Sequence, residues 1–405
     1  MKIVYILSQS HLCRNPRVVK EALLLLEMGF EVKILTCKYN EELHLEDLKL
    51  VPKEITIEHF ADLSKNNFKT LYLKVIRRLA IIILKKLRIE TPYVLGYGFD
   101  SLLSKARTKK AHWYICHQEI ATLVGKKLLE DGSEVAFDLE DWYSEDLLES
   151  ARKERPIRLL QQAEETALKK GLFCTTTSHV MADAMAKNYG ARKPFVVYNS
   201  FEKQKNIIAP IHTERKDFTT PSLTWFSQTI GPGRGLELLM DALGEIKEPL
   251  QIHLRGNITV AYRAELLNRL KSNTHLIYFH KLVSPNELPA CLAVHDIGLA
   301  LELSNPKSRN LTITNKIMQY AQAGLAIVAS HTAGQEELAL QNPKGIKVFN
   351  QDNVQTLIKI IRDLIADREK LSLVKAASLE FFHTHLCWEL EKEKYKNLLL
   401  RAFKN

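Results

Sequence analysis

Short apolar runs alternate with amphipathic stretches along the whole chain. Ile3-Val4-Tyr5-Ile6-Leu7 has strand length, the polar loop Ser8–Asn15 follows it, and Pro16 suits the first turn of a helix. Val18, Ala22, Leu25 and Leu26 mark one face of that helix, Gly29 ends it, and Val32-Lys33-Ile34-Leu35-Thr36 is the next strand. This βαβ opening predicts a parallel sheet with right-handed crossovers. From His112 the alternation resumes: HWYICHQEIATLVGKKLLEDG runs from strand to helix, EVAFDLEDWYSED from strand to acidic loop, GLFCTTTSHVMADAMAKNYG from strand to helix, and FVVYNSF is a last strand. Five or more βα units fit one doubly wound domain.

Glu202–Pro221 is polar and poorly patterned, and reads as a linker. A second series begins at Ser222: strand SLTWFSQ, loop GPGRG, helix LELLMDALGEI, strand LQIHLRG, helix RAELLNRLK and strand HLIYFH. SPNELPACLAVH then reads as a capped helix with Pro285 early in it, and DIGLALEL as a strand. In Asn310–Ser330, Thr312, Thr314 and Asn315 offer helix-start chemistry, Ile317, Tyr320 and Ala321 form an apolar stripe, and Gly324 stands where the helix should stop. Leu325–Ala329 is short and apolar enough for a strand buried on both faces. The strand IKVF, a helix from Asn353 to about Asp367, and closing helices from Lys370 to Lys404 complete the chain.

The predicted fold is α/β, with two Rossmann-like, doubly wound parallel-sheet domains facing a cleft in which a ligand should lie. The expected boundaries are 1–201 for the first domain, 202–221 for the linker, 222–382 for the second domain and 383–405 for a helix returning towards the first. A length of 405 residues agrees with two domains. Cys13, Cys37, Cys116, Cys174, Cys291 and Cys387 are scattered without a CxxC pair, so reduced thiols and no metal site are expected. MKIVYILSQSHL turns polar after seven residues, which reads as a first strand, and no run approaches the ~18 apolar residues of a membrane span. A cytoplasmic protein is expected.

The net charge of +10 is localised: between Lys65 and Lys110, twelve basic residues face only Glu90 and Asp100. Within this segment residues 68–89 read as a two-faced helix, with Lys74, Arg77, Arg78, Lys85 and Arg88 on one side and Tyr72, Ile76, Leu79, Ile83 and Leu87 on the other. A solvated basic face and a patch for an anionic membrane surface are both open readings. Nucleic acid is not expected as a partner, because no aromatic-interleaved or groove-reading motif accompanies the charge. With the patch, peripheral attachment at the inner face of the plasma membrane joins the cytoplasmic expectation.

Three features suggest anion binding. Gly231-Pro232-Gly233-Arg234-Gly235 links a strand to a helix, where glycines let backbone N–H groups approach an anion and Arg234 adds a fork of donors. Lys316, at the next crevice-facing helix start, and Arg255-Gly256, at a strand end, are the other two anchors. Convergence of two of them would favour a diphosphate.

NPRVVKEALLLLEMGFEVKILT, VVYNS, TIGPGRGLELLMDAL, NKIMQYAQAGLAIVAS and CWELEKEKYKNLL, in this order and at these separations, resemble the two-domain GT-B glycosyltransferases, in particular the retaining family 4-like group (glycosyl transferases group 1). The resemblance implies a nucleotide-sugar site in the C-terminal half and an acceptor site in the N-terminal half. It implies that Arg234 neutralises the donor diphosphate and that Thr312, Thr314, Asn315 and Lys316 form the phosphate-facing helix start; Gly233 and Arg255 stay donor-side candidates from the loop and strand-end positions above. The family's two glutamates fall on Leu311 and Gln319; Gln319 can still bond a ribose hydroxyl, and Glu302, from the preceding strand end, is a substitute carboxylate. Gln228 stands where the first basic residue of the family's pair is usual. On the acceptor side the resemblance points to His117 and to Asp141 or Glu140 for an acceptor hydroxyl, and to Arg14 or Arg17 for an anionic acceptor such as a lipid diphosphate.

The expected function is therefore transfer of a sugar from a nucleotide-diphosphate sugar to a glycan or polyprenyl-linked acceptor in cell-surface polysaccharide synthesis, without cofactor or metal. Catalytic roles fall on Arg234, His117 and Asp141. A nucleotide-sugar 2-epimerase of the same fold and a catalytically silent sugar-nucleotide-binding protein are the alternatives.

Overall fold

Parallel pairing starts at the first strand. In the computed structural model, which describes residues 2–204 and 214–403, Ile3–Ser8 (β1) pairs in parallel with Glu31–Lys38 (β2) on one side and Trp113–His117 (β4) on the other. Thr56–Asp62 (β3), Val135–Asp138 (β5), Cys174–Thr176 (β6) and Phe195–Val196 (β7) complete a seven-stranded sheet in the order β3-β2-β1-β4-β5-β6-β7. Its centre is apolar on both faces: Ile6, Ile34, Ile115 and Phe137 are fully buried. That explains the near-continuous apolar runs that announce these strands.

The edge is different. Strand β3 and the helix Glu41–Leu50 before it have no counterpart in the sequence reading. Residues Thr56–Ile57-Glu58-His59 of β3 are only partly covered, and Leu45, Leu48 and Leu50 of the helix are exposed, so neither carries a clean apolar stripe.

The second sheet contains Ser222–Ile230 (β8), Gln251–Ile258 (β9), Leu276–His280 (β10), Ile297–Ala300 (β11), Ala326–Ser330 (β12) and Ile346–Phe349 (β13). Its order is β10-β9-β8-β11-β12-β13, all parallel. Leu223, Trp225, Leu239, Ile252, Leu299, Val328 and Ile361 form its core. Successive strands first step to one side of β8 and then, at β11, to the other. This reversal makes a topological switch point between β8 and β11, the place in an open α/β sheet where the loops beyond the strand ends part to leave a crevice.

By compactness the chain divides into two units: Met1–Thr177 with Met181–Val197 and Tyr395–Asn405, and Ser178–Val180 with Tyr198–Lys394. Residues 205–213 of the expected linker lie outside the described residues. The end of the chain runs as helix Arg368–Phe381, a π-turn Phe382–Leu386 and helix Trp388–Ala402. Tyr395 and Phe403 belong to the first unit, where the Tyr395 hydroxyl bonds Glu21 and the Phe403 ring stacks on Trp113 with centroids 4.2 Å apart. The helix expected to begin near Pro285 starts later, at Leu288, because Ser284–Glu287 forms a turn held by Ser284 N–H and Oγ on the Glu287 carboxylate.

Candidate active site

In the second unit the switch-point crevice is built from the segments that follow β8 and β11. Gly231–Gly235 connects β8 to the helix Leu236–Glu245. Gly235 has φ +76°, and a Cβ there would stand 2.8 Å from Leu301 Cβ, so only glycine lets the loop close onto the segment after β11. The side chain of Arg234 is exposed, and among the described residues it has no hydrogen bond or ion pair. The N–H of Gly233 donates to Glu237 Oε1 at 3.3 Å, and the Tyr262 hydroxyl donates to the same oxygen at 2.7 Å. Gly233 is thus engaged within its own loop.

Two residues past β11, Glu302 gathers polar groups. Its Oε1 accepts from Lys316 Nζ at 2.5 Å and from Thr314 Oγ1 at 3.2 Å. Its backbone is fixed by Ser330: the Glu302 N–H donates to Ser330 Oγ at 2.8 Å, and Ser330 Oγ donates to the Glu302 carbonyl at 2.6 Å. Gln335 holds Ser330 in turn, through its Nε2. Lys316 is 8% exposed and its Nζ lies 5.4 Å from the centre of the Trp225 ring. A nearly buried ammonium needs a partner, and Glu302 supplies it.

The helix Asn315–Gln322 starts at this point. Thr314 is its N-cap, accepting from the Lys316 N–H, and Asn315 Oδ1 accepts from Asn199 Nδ2 at 3.2 Å. Thr312 Oγ1 donates to the Ser308 carbonyl. Gly298 permits the close seat of this helix on β11, because any Cβ there would fall 2.3 Å from Tyr320 Cγ. Leu311 is buried at the end of a short helix, Lys307–Leu311, and its carbonyl accepts from Ser178 Oγ at 2.6 Å. Gln319 is buried one turn beyond Lys316. Glu302, Thr314 and Lys316 therefore come together, with Arg234 on the neighbouring loop.

Arg255 does not join them. It is 4% exposed in β9, where its guanidinium bonds the Lys281 carbonyl at 2.7 Å and pairs with Glu214. Its charge is already matched within the second unit, by Glu214.

In the first unit the expected acceptor-side residues divide sharply. His117, at the end of β4, is 2% exposed; its Nε2 lies 2.6 Å from Glu21 Oε2 and its Nδ1 3.2 Å from Asp138 Oδ2. Arg17 is also buried, donating to both oxygens of Asp138 at 2.7 and 2.8 Å and to the Val197 carbonyl at 2.8 Å. Thr175 Oγ1 adds a third hydrogen bond to Asp138, at 2.8 Å. Burial alone would discharge the His117 ring, but Glu21 and Asp138 outweigh it and push its pKa up to about 10. Burial likewise opposes charge on Asp138, and Arg17 and His117 overcome it, holding this carboxyl well below the usual range. His117 and Arg17 are thus the cations of a buried internal network with Glu21 and Asp138.

Sequence reasoning missed the network because it turned Arg17 towards an anionic acceptor and did not single out Glu21. The signal available was their spacing: Arg17, Val18, Glu21, Ala22 and Leu25 share one stripe of the helix Pro16–Glu27 that is buried throughout. Glu140 and Asp141 are half-buried on the loop after β5. Burial raises the Glu140 pKa to about 7, Arg17 works against the rise, and Asp141 adds to it. A carboxyl near neutrality on a half-open loop has the proton affinity of a general base or acid. Arg14 is exposed at the end of a short turn, Leu12–Arg14.

The five residues of the expected basic patch also part company. Arg77 turns inwards over the Tyr97 ring at 4.8 Å, Arg88 Nη1 donates to the Lys153 carbonyl at 3.0 Å, and Lys85 pairs with Glu154 at 2.8 Å. Lys74 and Arg78 are exposed. On the apolar side Tyr72, Leu79 and Leu87 face solvent and Ile76 and Ile83 are partly covered, while Ala80 and Leu84 make the contact with Val94.

Residues 220–367 match the sequence model of the family Glycosyl transferases group 1. Comparison with curated proteins returns no match. Among solved structures the chain is similar to sucrose-phosphate synthase from Thermosynechococcus elongatus, with TM-score 0.73 and 12% identity over 100% of both chains. It is also similar to HepE from Anabaena in complex with UDP and glucose, with TM-score 0.66 and 15% identity over 98% of this chain and 99% of that one. A Listeria monocytogenes protein designated a UDP-N-acetylglucosamine 2-epimerase gives TM-score 0.58 and 10% identity over 100% and 97%. Identities this low speak for the fold. The chain thus has the two-sheet GT-B fold of these structures, and its residues 220–367 match the Glycosyl transferases group 1 model.

Proposed function

We propose that the protein transfers a hexosyl group, with retention, from a nucleotide-diphosphate sugar to a glycan or polyprenyl-linked acceptor in cell-surface polysaccharide synthesis. The observation that carries this reading is the convergence of Lys316 Nζ and Thr314 Oγ1 on Glu302 at the switch-point crevice, beside the exposed Arg234 loop. A diphosphate entering there meets the N–H groups of a helix start and the ammonium that Glu302 now holds. Thr312 and Asn315 border the same helix start. Arg234 is free to swing onto the leaving diphosphate as its charge develops, which is the term that preorganised donors act on most strongly. With these cations supplying the countercharge, the reaction is proposed to run without metal. Gln319 is assigned to the ribose. Glu140 or Asp141 is assigned to the acceptor hydroxyl, and Arg14 to an anionic acceptor. The acceptor would be used at the inner face of the plasma membrane, the protein being cytoplasmic and peripheral there. Among the described residues no helix is long and apolar enough to cross a membrane.

HepE, similar in fold, is known with UDP and glucose bound, which makes UDP-sugars the first donors to test. In a thermal-shift screen of UDP-, GDP- and ADP-sugars, the true donor at 100 times its Kd adds ~2.7 kcal/mol of stability. Absence of a shift with every nucleotide-sugar would remove the donor site from this crevice. A donor altered with no acceptor present would instead identify a 2-epimerase. Binding without turnover on any acceptor would mark a silent protein, the reading favoured by Leu311 and Gln319 where carboxylates are usual.

A further inference from the structure

The helix Phe68–Leu87 turns its apolar side outwards. Phe68 is 85% exposed, Tyr72 59%, Leu71 57%, Leu79 52%, Val75 46% and Ile82 42%. At 3.6 residues per turn these six fall within an arc of about 100°, and Lys74, Arg78 and Lys85 occupy the adjoining arc of about 40°. Ala80 and Leu84, on the opposite side, pack against Val94. The helix contains six basic residues and no acidic one. A stripe of large apolar side chains in water is unfavourable by itself, and here it runs from Phe68 to Ile82 of a 20-residue helix, about 21 Å, with Lys86 ending the same arc.

We infer that this face is a docking surface for an anionic lipid bilayer, with the helix lying in the plane of the interface. The charge pattern selects the occupant. An apolar stripe flanked by cations matches a bilayer whose acyl boundary is apolar and whose headgroup layer is negative. A second copy of the same face would set a helix with six basic and no acidic residues against its like, and charge repulsion opposes that pairing. With Arg77 turned inwards and Arg88 and Lys85 tethered, Lys69, Lys74, Arg78 and Lys86 remain as the exposed cations of the helix, and Lys74 and Arg78 are the two that flank the stripe on one side. The inference accompanies the reading of a membrane-face acceptor but is measured without donor or acceptor, so either can fail alone.

The test is cosedimentation of the full chain with phosphatidylcholine vesicles, with and without about one-third phosphatidylglycerol, at low and high salt. Partitioning should rise at least about tenfold with phosphatidylglycerol and fall again in high salt. L71S/L79S, which keeps every charge, and K74Q/R78Q, which keeps every apolar residue, should each lose most of that gain, with unchanged thermal unfolding because all four side chains are exposed. Equal recovery in the supernatant with both vesicle types would overturn the proposal. So would a wild-type dimer, dissociated by L71S/L79S, that binds no vesicles, since the stripe would then be a contact between copies.

Discussion

Lys316 Nζ and Glu302 Oε1 are 2.5 Å apart at the carboxyl ends of the second sheet, and the lysine is otherwise enclosed by its own helix and the Trp225 ring. The pair sets two opposed expectations. Lys316→Met should weaken donor binding roughly 10- to 100-fold, the loss of a hydrogen bond to a charged group. Glu302→Gln removes the competing carboxylate, so the affinity for the bare nucleoside diphosphate should rise. Titration calorimetry of both variants checks the two signs. A weaker diphosphate affinity in Glu302→Gln would mean that the carboxylate orients Lys316 for the ligand and does not compete with it.

Arg234 and Gly235 are neighbours with separable consequences. Arg234 is exposed and without a partner among the described residues, so Arg234→Ala should lower turnover ~10²–10³-fold while leaving the melting temperature unchanged. Gly235→Ala places a Cβ against Leu301 at a positive φ, so it should cost about 1–3 kcal/mol of stability as well as disturbing the loop. Steady-state rates read beside thermal melts distinguish the two. An Arg234→Ala enzyme of normal rate would remove that residue from the mechanism.

Arg17 holds Asp138 by two hydrogen bonds in a buried site. Arg17→Met leaves that carboxylate with less compensation, and breaking a buried pair from one side typically costs about 3–5 kcal/mol. Urea unfolding should show the loss as a lower midpoint with an unchanged slope. A variant as stable as the wild type would show that the network is not needed for the first unit's fold.

The same network fixes a pH dependence. His117 keeps its proton up to about pH 10 in the fold, against 6.5 for the free side chain. Its pKa is raised on folding, so its contribution is full below about pH 6.5 and is lost as the pH rises through 10. Unfolding free energies across pH 6–10 should decline for the wild type and decline less for His117→Gln. Parallel profiles would show that another group carries the alkaline loss.

The legible parts of the chain were those whose burial is one-dimensional in character. The strands from Val4 to Leu7, Ile115 to Cys116 and Ile327 to Ala329 are enclosed on both faces, so they appear as uninterrupted apolar runs wherever they stand in the order. The helix at Asn315 was legible from its N-cap and from Gly324, both local requirements of backbone geometry. Strand β3 was not, because an edge strand is half solvated and lacks the run.

What the sequence by itself determined is the alternation of βα units, their grouping into two sheets, and the family likeness of the segments around Arg234 and Lys316. Those follow from period, cap and turn chemistry within a few residues of one another. Which charged residue faces a ligand and which is sealed inside was decided only by the tertiary structure. Arg17 and His117 lie 100 positions apart in the sequence but share Asp138, and Arg255 finds Glu214 across 41 positions. The outward turn of the apolar side of Phe68–Leu87 likewise depends on where Val94 lies, because a helix with apolar residues on more than one face can be rotated only by the partner it meets.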